Sequence, residues 1–314
     1  MTTDNLLIGT DALAWLAAHL DETDPAASSH WRQEHETFRF EDGQFSGLRG
    51  FGHHAPPAKG LRRWVHVLLQ KRYREMSRDL PRFAEFDALT ASIAGRQGRF
   101  YELSALRQAL SLAQTLKLAP DCLAGEGWTA VIGDGFGTMA ALALAAEPAA
   151  RVVAVNLTKT LLVDLTYAAM TLQSGTFALA LDADAAAQAQ ARSDIRLLGV
   201  RASDAALLGA LPIGLAINIA SMQEMQAQDI ATYFRALRAP LGPPTLFYCC
   251  NREEKTLPDG EVTRFLEYPW QTADEVLLDE SCPWHQFYYT PVPPFYRPYA
   301  GVVRHRLARL APDE

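Results

Sequence analysis

A short apolar run, Trp128–Ile132, stops abruptly at Gly133-Asp134-Gly135-Phe136-Gly137, and a helix-forming stretch, Thr138–Ala146, follows at once. Strand, glycine turn and helix in immediate succession constrain this chain more than any other feature. The glycines permit positive φ and let a ligand pack directly against the backbone. The helix start adds N–H groups with no partner inside the helix. Dinucleotide binders use G-x-G-x-x-G, with the helix dipole facing a pyrophosphate. Here the spacing is G-x-G-x-G and Thr138 stands where the third glycine belongs, which favours a cofactor without a pyrophosphate. A bare structural β–α turn is the plain alternative.

The flanking sequence repeats the alternation. Arg151–Val155 reads as a second strand and Lys159–Gln173 as the helix after it; Ile195–Val200, Leu215–Ile219 and Thr245–Cys250 read as further strands. Strands alternating with helices imply a parallel sheet covered on both faces. Residues 1 to about 120 read instead as helices and loops, by apolar spacing of three and four. A helix begins near Thr10 with Leu13, Leu16, Ala17 and Leu20 on one face. Gly43–Gly60 is a glycine- and proline-rich loop; Leu61–Met76 and Glu102–Leu116 are helical. The expected fold is therefore α/β and doubly wound, with a helical N-terminal region over 1–120 and the cofactor-binding catalytic domain over 121–314. After Asn251 the chain is rich in proline and aromatics, and a closing hairpin of Gln286–Thr290 with Val302–Leu310 is expected.

With 49% hydrophobic and 21% charged residues the chain buries a sizeable core. Its formal charge of −7, from 29 basic and 36 acidic residues, argues against a nucleic-acid partner. Arg62, Arg63, Lys71, Arg72, Arg74 and Arg78 crowd one segment, which reads as a solvated helix face or as a clamp for an anionic substrate. The cysteines, Cys122, Cys249, Cys250 and Cys282, show no CxxC spacing and no His pair completes a zinc set, so no metal is expected. No uncharged apolar run reaches the ~18 residues of a membrane span. Met1–Leu20 lacks the basic start of a secretory signal, so a cytoplasmic protein is expected.

The glycine segment with its flanking strand resembles motif I of the class I S-adenosylmethionine-dependent methyltransferases. Further segments resemble the bacterial sugar O-methyltransferase family: Ile217-Asn218-Ile219-Ala220-Ser221-Met222-Gln223-Glu224-Met225, Asn251-Arg252-Glu253-Glu254-Lys255, Glu267-Tyr268-Pro269-Trp270 and Val303-Arg304-His305-Arg306-Leu307. The similarity runs from about Gly50 onward. It implies a Rossmann-like sheet of seven strands, the last antiparallel, with S-adenosylmethionine over the C-terminal ends of the first two. The implied cofactor-binding residues are Gly133, Asp134, Gly135, Phe136 and Gly137, then Asn156, Leu157 and Thr158 toward the ribose, Asp204 toward the adenine, and Asn218 and Ser221 at the mouth. Two positions depart from the pattern. Asn156 stands where an acidic residue usually meets the ribose, and Gly214 where the fourth strand usually begins with an acid.

Methyl transfer is an in-line displacement, and a hydroxyl acceptor must give up a proton. Candidate bases are Glu224 after the fourth strand, His53 and His54 in the glycine loop, and His285; His305 reads as structural. Tyr268, Trp270, Trp284, Tyr288 and Tyr289 read as core, with a wall for a sugar ring as the alternative. The expected acceptor is a sugar, nucleotide-sugar or other small polar molecule, with homo-oligomerisation left open. The rivals are an O- or N-methyltransferase of a peptide or amino-acid derivative, an NAD-dependent oxidoreductase, and a non-catalytic relative that binds the cofactor as a scaffold.

Overall fold

Every residue of Trp128–Ile132 is buried, as a strand covered on both faces requires. It is the centre of a nine-stranded sheet in the computed structural model, which describes residues 5–50, 56–57, 59–125, 127–239 and 241–313. Numbered within that sheet, the strands are β1 (Leu6–Ile8), β2 (Trp128–Ile132), β3 (Arg151–Asn156), β4 (Thr176–Ala180), β5 (Ile195–Arg201), β6 (Ile213–Ile219), β7 (Leu246–Arg252), β8 (Glu275–Ser281) and β9 (Val303–Arg309). Their order is β1-β4-β5-β3-β2-β6-β7-β9-β8. The run from β4 to β7 is parallel throughout, while β9 is antiparallel to both β7 and β8. Without β1 and β4 on one edge, the remaining seven strands are the expected sheet with its last strand antiparallel.

Helices cover both faces, as the alternation predicts. One face carries α4 (Phe83–Arg96), α5 (Leu103–Leu118), α6 (Thr138–Ala146) and α7 (Thr158–Ala169); the other carries the 3-10 segment Ala202–Ala210, α8 (Ala183–Ala191) and α9 (Ala227–Leu237). Period-two alternation sorts neighbours to opposite cores. Val131 and Ile217 face the first layer, Ile132 and Ala216 the second. Helix α1 (Thr10–Ala18) packs on α7, and the short α2 (Ser29–Glu34) and α3 (Gly60–Glu75) complete the N-terminal helices. Among the described residues no helix is long and apolar enough to cross a membrane.

Four strands differ from expectation, one of them β4, for which the sequence offered no strand. β1 lies in the stretch read as helices and loops, yet pairs antiparallel with β4, Leu6 opposite Ala180. Three residues are too few to show a period. The expected hairpin of Gln286–Thr290 with Val302–Leu310 does not form. Phe287–Tyr289 pairs with Tyr296–Pro298, and β9 instead fills the slot between β7 and β8. β8 is an edge strand with no fully buried residue, so it carries no alternation that could announce it.

One buried ion pair fixes the far side of the sheet. The Arg238 guanidinium, at the end of α9, meets Asp274 in a two-pronged contact of 2.6 and 2.8 Å, both side chains 1% exposed. Arg238 also donates to the Pro269 and Ala311 carbonyls, so one side chain joins the helix, the loop before β8 and the C-terminal segment. Burial raises the Asp274 pKa, but Arg238 and the Gln271 and Ala311 N–H groups outweigh it and hold the carboxyl below its ordinary value. Asp274→Ala would strand the guanidinium. Denaturant unfolding is expected to show a loss of about 3–5 kcal/mol.

Candidate active site

The glycine turn sits at the C-terminal ends of β2 and β3, where open α/β sheets bind ligands. Gly133 has φ +74°, and a Cβ there would fall 1.9 Å from Ser221 Oγ. At Gly137, with φ +59°, a Cβ would fall 2.4 Å from the Asp164 carbonyl oxygen. Neither position takes a side chain without moving a neighbour. Two buried carboxylates then brace the turn. Asp134 folds back to accept from Met139 N at 3.0 Å and Ala140 N at 2.8 Å, so it caps α6. Asp164, on α7, accepts from Gly137 N at 3.1 Å and from Asn156 Nδ2 at 2.8 Å. Burial and then the charge of Asp134 push the Asp164 carboxyl well above its ordinary value; burial raises Asp134 as well. A helix N-terminus already holding a carboxylate has no place for a pyrophosphate.

Beside the turn lies a cavity of about 260 Å³. Its wall includes Gly133, Asp134, Gly135, Phe136, Asn156, Ser221, Glu224 and His285 from the candidate residues. The N-terminal region contributes Trp31, Arg99, Arg107 and Gln108, and the C-terminal segment Tyr299. Arg99 lies over the Phe136 ring, 3.6 Å from its centroid, and donates to Gln97 and Thr138. Its Nε and the Gln108 Oε1 are buried with no hydrogen-bond partner among the described residues. Arg107 is buried too and, among the described residues, donates to the Trp284 and Phe287 carbonyls. None of these residues carried a signal in the sequence beyond Arg107 itself, a charge set among the inward leucines of α5.

Glu224 stands on a 3-10 turn, Met222–Glu224, and not in the first turn of a helix. Asn218 fixes that turn: its Oδ1 accepts from Met222 N and Asn251 Nδ2 while its Nδ2 donates to the Ile132 carbonyl. The Glu224 carboxylate meets Lys255 Nζ at 2.5 Å and His30 Nε2 at 3.5 Å. Burial raises its pKa, but His30 and Lys255 prevail and the net position is below the ordinary value. Its carbonyl oxygen accepts from Ser28 Oγ, so the segment before α2 is tied across the pocket.

Several candidate residues lie outside the cavity wall. Gly137 and Asn218 are supports, as described. Leu157 precedes α7, and Thr158 donates from N and Oγ1 to Asp24 at 2.9 and 3.1 Å. Asp204 pairs with Arg201 at 2.8 Å, and that guanidinium lies 5.0 Å from the Trp15 ring. Asn156 lines the cavity, but its Nδ2 is committed to Asp164 and its Oδ1 accepts from Leu157 N. His53 and His54 lie outside the described residues. His305 is buried against Tyr248 and Trp284. Tyr268, Trp270 and Trp284 pack into the two cores, while Tyr288 is exposed; none of them lines the cavity. A larger cavity of about 680 Å³ opens at the other ends of the strands, beside Gly127 and Gly214. There a Cβ on Gly127 would fall 2.8 Å from Gly214 N, so position 127 takes only glycine, whereas a Cβ on Gly214 would meet only Gly127 Cα at 3.9 Å and nothing in the structure explains the glycine at 214.

The structure also brings together residues with no spacing in common. His285 Nδ1 lies 3.2 Å from Cys282 Sγ and 3.7 Å from Cys250 Sγ, all three buried.

No family model matches the chain, and no curated protein matches it. Solved structures do. It is similar to methyltransferase CalO6, at 15% identity over 64% of this chain and 64% of that one, with a TM-score of 0.37. It is similar to the mitomycin 7-O-methyltransferase MmcR, at 16% identity over 79% of this chain and 68% of that one, TM-score 0.34. A third likeness is to the N,N-8-amino-8-demethyl-D-riboflavin dimethyltransferase RosA from Streptomyces davawensis, at 15% identity over 66% of this chain and 59% of that one, TM-score 0.34. Identities this low and scores below one half leave function to be argued from the pocket itself.

The covering segment has its own pH signature. His35, hydrogen-bonded to Thr160 Oγ1, is lowered from 6.5 to about 4 by burial and then by Lys159 and His30. Between those values the unfolded chain binds a proton that the folded chain refuses. Stability therefore falls as pH drops from about 6.5 to 4, by up to ~3 kcal/mol from this group. Calorimetric melting across that window should show the slope, and His35→Gln should flatten it.

Proposed function

We propose that this chain is an S-adenosylmethionine-dependent methyltransferase acting on a hydroxyl of a small polar acceptor, a sugar or glycan residue being preferred. The observation that carries the reading is a pair of buried atoms without a partner among the described residues, Arg99 Nε and Gln108 Oε1, on the wall that holds the glycine turn. They suit the two ends of an amino acid: a carboxylate for the guanidinium, an ammonium for the amide oxygen and the adjacent Asp134. Asn156 Oδ1 keeps one lone pair for a ribose hydroxyl. Asp134, seated on the start of α6, speaks against the NAD-dependent alternative. At about 260 Å³ the cavity is just under the ~300–1,000 Å³ of small-molecule sites. In this reading the segment tied down by Asp24 and Ser28 shifts to admit the whole cofactor and the acceptor.

The bound cofactor supplies an electrophilic methyl group on its sulfonium. The protein does the rest by position and charge. Gly133 and Gly135 present bare backbone at the cavity wall, and Trp31 and Tyr299 line it to exclude water. Glu224 stays ionised, held by Lys255 and His30, and accepts a hydrogen bond from the acceptor hydroxyl and then its proton. Tyr299 offers an apolar face, and Glu224 a polar edge, to a sugar ring.

Calorimetric titration with S-adenosylhomocysteine, with NAD as control, should show micromolar binding of the first alone. Gly135→Val, at φ +88°, should remove that binding while circular dichroism stays native. Unchanged affinity in this variant would overturn the placement of the cofactor. Glu224→Gln should lower kcat by about 10²–10⁴ with little change in S-adenosylhomocysteine affinity. With the Glu224 carboxyl held below its ordinary 4.5, the rate should stay flat down to that pH and fall only beneath it.

A further inference from the structure

We propose that Cys250, Cys282 and His285 form a zinc site behind the wall of the cavity. The three ligand atoms, each Sγ and the imidazole Nδ1, lie within 4.8 Å of one another. Zn–S bonds of about 2.3 Å and Zn–N bonds of about 2.0–2.1 Å at a tetrahedral angle place S and N about 3.5 Å apart. The two S···N separations, 3.2 and 3.7 Å, bracket that value.

Hydrogen bonding serves this cluster through weak sulfur contacts, Cys250 meeting both Cys282 and the Tyr248 hydroxyl, and leaves Nδ1 shared. Nδ1 has a single site, either an N–H or a lone pair, and two sulfurs converge on it. A thiol is a weak donor, and only one of the two can use that lone pair. A metal ion resolves the conflict: both thiols lose their protons to solvent, two S–Zn bonds form, and the imidazole lone pair makes the third bond. Two thiolates cancel the charge of the ion.

The backbone holds each ligand in place. Cys250 lies in β7 opposite His305, and its carbonyl accepts from Ala220 N at 2.7 Å. Cys282 N donates to the Val303 carbonyl at 2.8 Å, and His285 N to the Cys282 carbonyl at 3.2 Å. Strand alternation sends the adjacent Cys249 to the opposite core, where its sulfur accepts from Asn251. Among the described residues no fourth protein ligand joins the group. Zinc with two thiolates and one imidazole is a set that keeps its last position for water or a substrate atom. His285 forms part of the cavity wall, and Arg107 is a buried cation with no carboxylate among its described partners. An anionic fourth ligand, such as a hydroxide or an ionised acceptor oxygen, complements that guanidinium. The site stands independently of the methyl-transfer reading, because its ligands are set by β7, β9 and the Cys282–His285 turn.

The test uses the full chain, reduced and with no S-adenosylhomocysteine present. Elemental analysis after zinc loading and desalting should show one equivalent of zinc. Cobalt substitution should give thiolate-to-cobalt charge-transfer bands and the strong visible bands of a tetrahedral ion. Cys282→Ser should weaken zinc at least ~100-fold, more than the ~10–100-fold typical of outer-shell partners. Cys122→Ser, at a half-buried cysteine away from the group, should leave affinity unchanged. Circular dichroism of each variant separates loss of a ligand from loss of the fold, and the cobalt spectrum of the unaltered chain needs no variant at all. Less than half an equivalent of zinc, a cobalt spectrum without sulfur bands, or equal affinity in Cys282→Ser would overturn the proposal. So would two free thiols instead of four after purification without reductant, with Cys250 and Cys282 joined as a disulfide. Failure to bind S-adenosylhomocysteine would leave the zinc result standing, and the reverse.

Discussion

A buried carboxylate on helix α7 holds the glycine turn in the only shape that makes a pocket. Asp164 accepts from Gly137 N and Asn156 Nδ2, so one side chain fixes the exit of the turn and the end of the neighbouring strand together. Asp134 does the complementary work from inside the turn by capping α6. Two carboxylates buried this close cannot both ionise cheaply, and the upward shift of both records that tension. The tension persists because the N–H groups of Gly137, Met139 and Ala140 take these carboxylates as their partners. Positive φ at Gly133 and Gly137, the cavity beside them and the position of every wall residue follow from this arrangement.

The pocket is made by parts of the chain far apart in sequence. The sheet supplies the turn and the Met222–Glu224 corner, while helix α5 supplies Arg107 and Gln108 and the connection from α4 to α5 supplies Arg99. The N-terminal segment closes over them, with Asp24 on Thr158, Ser28 on the Glu224 carbonyl and His35 on Thr160. Each of these contacts joins the covering segment to a residue within or beside the site. The neutral His35 belongs to the same closure, since a charged imidazole there would face Lys159 and His30 without solvent. Cover and site are thus one electrostatic unit. A ligand that displaces the cover must replace those hydrogen bonds with its own.

Most of the fold was legible in the residues. The strand–glycine–helix succession, the apolar strands and the two-layer covering follow from periodicity and from backbone needs that glycine alone meets. The antiparallel last strand follows from the resemblance; β1 is too short and β8 too polar to show a period, while β4, as long as β2, has no expected strand in the sequence reading. Of the site, the turn itself, Asn156, Ser221 and Glu224 were legible because each lies at or just past the end of an expected strand, where an open sheet exposes its residues, and His285 only as a histidine among the C-terminal aromatics. Arg99 and Gln108 were not, because a polar residue in a connection or on a helix reads the same whether it meets solvent or a cavity. The environment that distinguishes them is made by other chain segments.

The sequence by itself determined the turn, the order of strands and helices, and the absence of a third glycine that a pyrophosphate would want. These are local properties, set by φ, by side-chain volume and by the spacing of apolar residues. Only the tertiary structure decided that Asn156 is tied to Asp164, that Glu224 is an ionised group between Lys255 and His30, and that Asn218 is a support. It alone brought Cys250 to Cys282 and His285, from the end of one strand to the turn beyond another. Charge state and ligand geometry depend on burial and on distances of a few ångströms between remote segments. Neither is written in the spacing of residues along a chain; both arise when the sheet brings its strand ends together.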